Sequence, residues 1–251
     1  MSSSLPTVSL LGLPIVSAPC ATLHRYLSHS LSKGKRICLF TPNAEMLSRV
    51  AEDPHTGALL RSADLLIPDG IGLVLYAKAM DTPLPGRIPG IELGEWVMQY
   101  AGSHGLSVYL LGGKPGVADL AAERLRGRFP ELSVVGTHHG YVTKEEDASL
   151  LRQIQRASPH ILIVCMGFPR QEEWILAHRD QIPSLRLAMG LGGALDVWSG
   201  RVERAPRLMR RMGLEWLWRV LRAPKRIPRL RFLFPFCRLL LTAKRDTEYT
   251  P

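Results

Sequence analysis

A chain of 251 residues with 46% hydrophobic and 22% charged residues has the make-up of a folded protein of one or two domains, which excludes wholesale disorder, collagen-like repeats and coiled coil. Its net charge of +10 is unevenly spread: residues 1–200 carry 18 Lys and Arg against 18 Asp and Glu, whereas residues 201–251 carry 14 against 4. A neutral body with a basic tail implies a local anionic partner, whether membrane surface, nucleic acid or phosphorylated substrate.

The N-terminal stretch has no positive leader and carries Pro6 and Pro14 among its apolar residues, which argues against a signal peptide and for a cytoplasmic protein. An opening hairpin is expected around Gly12-Leu13-Pro14. Apolar runs then follow at 37–40, 65–67, 108–111, 132–135, 161–166 and 185–189, separated by amphipathic stretches at about 43–52, 55–62, 70–80, 90–102, 116–128, 145–157 and 170–181. Strand and helix alternating at this spacing predict an α/β fold, a Rossmann-like, mainly parallel sheet with helices on both faces. From about residue 200 the texture changes. Arg is interleaved with Trp, Leu and Phe, and prolines at 206, 224, 228 and 235 are expected to cut the stretch into short helices. The division expected is an α/β body, 1–200, and a basic amphipathic C-terminal appendage, 201–251, without which the body should still fold. No apolar run in the sequence is long enough to span a bilayer.

Cys20, Cys38, Cys165 and Cys237 are far apart and show neither zinc nor disulfide spacing. His138, His139 and His178 form no metal-binding pattern, and there is no D-x-D pair to carry a divalent cation on a nucleotide diphosphate. No metal and no cofactor are therefore expected. In an open parallel sheet, ligands bind beyond the carboxyl ends of the strands, and here five such ends lead into polar or Gly-rich loops. Asp69 follows one strand and precedes Gly70 and Gly72, which suits either a general base or a helix cap. Thr41 and Asn43 hold the matching position after the preceding strand, again as site or cap. Gly112 and Gly113 open a helix whose amides could hold phosphate or could form a plain turn, and Gly192 and Gly193 with Asp196 show the same ambiguity. A dinucleotide fingerprint would need an acidic residue after the next strand, where Gly136-Thr137-His138 stands instead. Any bound diphosphate must then be neutralised by arginines, either Arg87 or those of the appendage.

These motifs resemble those of the bacterial WecG/TagA/CpsF glycosyltransferases along nearly the whole chain. The likeness is carried by T-P-N-A-E-M at 41–46, D-G-I-G at 69–72, G-R-I-P-G at 86–90, L-L-G-G-K-P-G-V at 110–117, G-F-P-R-Q-E-E-W at 167–174 and G-L-G-G-A-L-D-V at 190–197, with R-A-P and G-L-E-W-L-W-R in the appendage. Phe168 and Arg170 depart from the smaller residue and Lys common in that loop. The resemblance implies inverting, metal-independent transfer of an N-acetylmannosamine-type sugar from a UDP-sugar donor to GlcNAc on undecaprenyl diphosphate. It implies Asp69 as base, with Thr41, Asn43, Arg87 and Gln171 around it, and Arg219, Arg226 and Arg229 closing over the donor diphosphate. It also implies a protein peripheral on the inner face of the plasma membrane, bound to an anionic surface, with homo-oligomerisation left open. Transfer of glucose or N-acetylmannosaminuronic acid on the same fold is the alternative within the enzyme class. A nucleic-acid-binding protein is the competitor outside it; that reading leaves the five convergent loops without a role.

Overall fold

The computed structural model describes residues 4–222 and 231–247, except for the side chains of 219 and 244–247. Strands β1 (Thr7–Leu10) and β2 (Leu13–Val16) form the opening hairpin around a two-residue turn at Leu11 and Gly12. Helix α1 (Cys20–Ser32) follows and then β3 (Ile37–Phe40), α2 (Ala44–Glu52), α3 (Pro54–Arg61), the short β4 (Leu65–Leu66), α4 (Ile71–Ala79) and α5 (Gly90–Ser103). The second half runs β5 (Ser107–Gly112), α6 (Val117–Arg128), β6 (Ser133–His138), α7 (Lys144–Ala157), β7 (Ile161–Cys165), α8 (Arg170–His178), β8 (Leu187–Gly190) and α9 (Ala194–Trp198). The basic segment forms α10 (Arg207–Arg211), α11 (Glu215–Arg222) and α12 (Leu233–Thr247).

The eight strands make one sheet in the order β1-β2-β4-β3-β8-β7-β5-β6, parallel throughout apart from the β1–β2 pair. Successive side chains of a strand point to opposite faces, so the aliphatic runs feed two cores. Ile37, Leu39, Val108, Leu110, Ile163 and Met189 enter one core with α1, α5, α6 and α9. Cys38, Phe40, Tyr109, Leu111, Val164 and Ala188 enter the other with α2, α4, α7, α8 and α12. β3 sends its connection toward the β1 edge and β5 sends its own toward the β6 edge. Between these departures the carboxyl ends of the central strands open a crevice.

The structure departs from expectation at two helices. α1 was not anticipated: its Pro19 start has no side-chain cap, and Thr, Ser and His dilute the helix-forming residues. Leu23, Leu27 and Leu31 are nonetheless buried along one face, and that packing holds it. In the basic segment Pro235 does not cut a helix; it sits in the first turn of the 15-residue α12, where a missing N–H costs no intrahelical bond. Nor is this segment detached from the body. Phe236 and Ala243 are buried in the second core, and Phe236 lies over Gly72 at the start of α4.

Candidate active site

All five strand-end loops after β3, β4, β5, β7 and β8 meet in one cavity of about 1060 Å³, and the basic segment adds Arg231, Phe232 and Pro235 to its wall. Asp69 lines it from the loop after β4, half-buried, with its backbone N–H donated to Pro42 O at 3.0 Å. The N-cap of α4 is Gly70 rather than Asp69. Thr41 lines the cavity too and is buried, donating its hydroxyl to Gly190 O at 3.1 Å. Asn43 does cap a helix: its Oδ1 accepts from the Glu45 and Met46 amides at 3.0 and 3.2 Å. Only its Nδ2 is left to present to a ligand.

Gly113 and Gly193 line the cavity, as do Gly192 and Asp196, whereas Gly112 is not among the lining residues. At Gly112, with φ +142°, an added Cβ would overlap the Cys165 carbonyl of the neighbouring strand, so its absent side chain serves strand packing. The Gly113 amide is donated to Cys165 O at 3.1 Å, and the Gly192 amide to Gln171 Oε1 at 2.9 Å. These amides are satisfied within the protein. Positive charge in the cavity comes from side chains, namely Lys114, Arg170, Arg231 and Arg49, of which Arg49 pairs with Glu45 at 3.0 Å and lies over the Phe168 ring.

Arg87 is placed elsewhere. Its guanidinium donates to Arg210 O and fastens α10 to the loop beside Asp69, where the Ile88 amide bonds to Pro68 O at 2.8 Å. Arg226 and Arg229 lie outside the described residues, as does the side chain of Arg219, whose backbone belongs to α11. Arg231, two residues beyond the last of the expected arginines, reaches the wall. Lys114 and Arg170, cations of the strand-end loops that were not among the expected diphosphate ligands, line the cavity as well. Among the described residues no group of three His, Cys, Asp or Glu is placed to hold a metal ion.

Gln171 is buried and works as a brace. Its Oε1 accepts from the Gly167 and Gly192 amides at 3.2 and 2.9 Å, and its Nε2 donates to Glu172 Oε1 at 2.8 Å. Burial pushes the Glu172 carboxyl up to about 7, and Cys38 and Cys165 up to about 12. The role of Glu172 was not foreseen, because nothing in the Gln171-Glu172-Glu173 run tells which carboxylate turns inward.

A doubly wound sheet with a carboxylate and several cations around a cavity at its carboxyl edge marks an α/β protein that binds its ligand beyond the strand ends. Residues 8–249 match the Glycosyl transferase WecG/TagA/CpsF family, and the chain belongs to it. It is similar to an N-acetylglucosaminyldiphosphoundecaprenol N-acetyl-beta-D-mannosaminyltransferase of Staphylococcus aureus strain MRSA252, 36% identical over 210 residues that cover 84% of this chain and 82% of that one. The protein of the same name from strain MW2 matches to the same extent.

Proposed function

We propose that this glycosyltransferase moves an N-acetylmannosamine-type sugar from UDP to GlcNAc-diphosphate-undecaprenol, with inversion and without a metal ion. The observation that carries the reading is a single cavity that brings Asp69 together with Lys114, Arg170 and Arg231. The names of the relatives support the lipid-linked acceptor and the mannosamine-type sugar. In the proposed step an acceptor hydroxyl oxygen bonds to the anomeric carbon as the bond from that carbon to the UDP oxygen breaks. Asp69 takes the hydroxyl proton, and the cations stabilise the negative charge of the departing diphosphate. Asn43 Nδ2 and Asp196 remain as donor and acceptor for the sugar or nucleoside. Arg87 acts indirectly, holding the basic segment against the cavity.

The same segment is assigned the membrane surface. Leu208, Leu221, Phe234 and Leu241 are exposed on α10–α12 and Met212 just after α10, between arginines. Each Lys or Arg near an anionic leaflet contributes about 1 kcal/mol, and exposed apolar side chains add interfacial burial. Among the described residues no helix is long and apolar enough to cross a membrane. Attachment at the inner face of the plasma membrane would bring the cavity wall formed by Arg231 and Phe232 to the lipid-linked acceptor. Functionally, residues 1–200 serve as catalytic body and 201–251 as the part that meets lipid and diphosphate.

Product analysis tests the reading. The full chain is given UDP-linked N-acetylmannosamine, N-acetylmannosaminuronic acid and glucose with a GlcNAc-diphosphate-lipid acceptor, in EDTA and with added Mg²⁺. Transfer of N-acetylmannosamine with inverted anomeric configuration, undiminished by EDTA, is expected. Preference for another sugar overturns the donor assignment, and activity restored only by Mg²⁺ overturns the cation assignment.

A further inference from the structure

Glu172 takes no part in the proposed step, yet among the described residues it is the only fully buried acidic or basic side chain. It sits in the first turn of α8, and its Oε2 has no hydrogen-bond partner among those residues. Its Oε1 accepts from the Gln171 Nε2 at 2.8 Å. A carboxamide is nearly symmetric in shape and opposite in chemistry at its two ends, so a flip exchanges donor for acceptor. On one side of Gln171 two backbone N–H groups require oxygen; on the other, the Glu172 oxygen requires N–H. Only one orientation satisfies both. Without the Glu172 acceptor, a buried Nε2 is left unpaired, which favours any rearrangement that returns it to water.

The pair lies where three site loops meet. Gly167 and Gly192 are in the loops after β7 and β8, and both amides bond to the single Gln171 oxygen. A Cβ at Gly190 would stand 2.9 Å from Gln171 Nε2 and 3.3 Å from Glu172 Oε1, so the pair fills the space beneath the end of β8. The Gly190 carbonyl accepts the Thr41 hydroxyl, which brings in the loop after β3.

We propose that Glu172 is a positioning residue: its buried carboxyl fixes the Gln171 carboxamide so that one oxygen ties the loops after β7 and β8 into the cavity. The consequence for transfer rests on the function proposed above, whereas the clamp can be measured without it. The test compares Glu172→Met with Glu172→Gln in the full chain, reading backbone hydrogen exchange at Gly167 and Gly192 together with donor KM and kcat. Glu172→Met, similar in length and without an acceptor, is expected to speed exchange at both amides about tenfold and raise donor KM by a similar factor, with β5 protection unchanged. Glu172→Gln is expected to rescue both readouts, because its carbonyl still accepts from Gln171. Adding Glu172→Met to Gln171→Met should cost nothing further, since the two act as one unit.

Unchanged exchange in Glu172→Met, additive effects in the double variant, or failure of Glu172→Gln to rescue would each overturn the proposal. If Glu172→Met does not fold, Glu172→Gln decides alone: loss of protection at the two amides overturns the clamp, and retained protection with an intact donor KM supports it. A wrong transferase assignment looks different, because the amides would then respond as expected while the unaltered protein turned over none of the UDP-sugars offered.

Discussion

The body and the basic segment solve the same problem of apolar surface in opposite ways. In residues 1–200 the aliphatic runs turn inward to two cores, and polar groups at strand ends are spent on the protein itself: Asn43 caps a helix, and the Gly113 and Gly192 amides bond to Cys165 and Gln171. In the C-terminal segment Leu208, Leu221, Phe234 and Leu241 face outward, and Phe236 turns into the core. Charge pairs hold the segment as well, with Arg204 and Arg210 reaching Glu92 at 2.9 and 3.6 Å. The body thus supplies the carboxylate and most of the cavity's cations, and the segment adds Arg231 and an exposed apolar face. The cavity is complete only where they touch.

Removing residues from Met209 onward breaks the comparison most severely. Transfer should vanish on lipid-linked and water-soluble acceptors alike, since Arg231 leaves with the deleted part. The sequence suggested that the body would survive this cut in a more soluble form; the burial of Phe236 and Ala243 leads us to expect the reverse, a truncated protein that melts earlier and aggregates. Phe236→Ala alone should cost about 3 kcal/mol by the usual loss for a buried aromatic side chain, read from urea melts.

Glu172→Gln sharpens the contrast by asking how poorly the body tolerates charge. The folded carboxyl titrates at about 7 instead of the ordinary 4.5, because burial penalises the anion. Below pH 4.5 both folded and unfolded forms are protonated and there is no penalty. As pH rises toward 7 the unfolded chain ionises first, so stability falls, by up to about 3 kcal/mol once the folded form ionises too. The variant does not titrate. Its urea midpoint should therefore gain on that of the parent between pH 5 and 7 and hold the gain at pH 8; a constant difference across that range would place Glu172 in a wetter site.

Asp69→Asn separates proton removal from donor binding within the cavity. It keeps the shape and removes the proton acceptor, so turnover should fall about 100-fold while the cavity's cations still bind UDP. Calorimetry with UDP beside a radiolabel transfer assay reads both quantities. Near-normal turnover would remove Asp69 from the reaction.

The strands were legible because a parallel sheet buried on both faces writes continuous aliphatic runs, and with them came the prediction that five loops share one edge. Which groups in those loops remain available to a ligand was not legible. The Gly113 amide is consumed by a carbonyl 52 residues away in sequence, and the Gly192 amide by Gln171, so glycines that suggest a phosphate cradle turn out to be engaged. The arginines illustrate the same limit. Arg87 and Arg231 are equally basic as letters, yet one is bonded to a backbone carbonyl of α10 and the other lines the cavity, a difference set by how α10 and α12 dock. Helix α1 was hidden for another reason, since its local propensity is weak and its tertiary burial strong.

The smallest expected effect comes from Phe234→Ser. Phe234 is 88% exposed, and Phe236, two residues on, is 6% exposed, so positions that look alike in the sequence face opposite surroundings. Replacing an exposed side chain should change stability by less than about 0.5 kcal/mol. If the outward face of α12 meets the bilayer, the same change should weaken co-sedimentation with anionic vesicles a few-fold and lower transfer to a vesicle-borne acceptor in proportion. Transfer to a short, water-soluble acceptor should be untouched, because Arg231 and Asp69 remain in place. That pairing of losses cannot arise from damage to the cavity, which would lower both activities together. Vesicle binding that survives both Phe234→Ser and high salt would instead move the membrane contact away from the basic segment and leave that segment with the diphosphate alone.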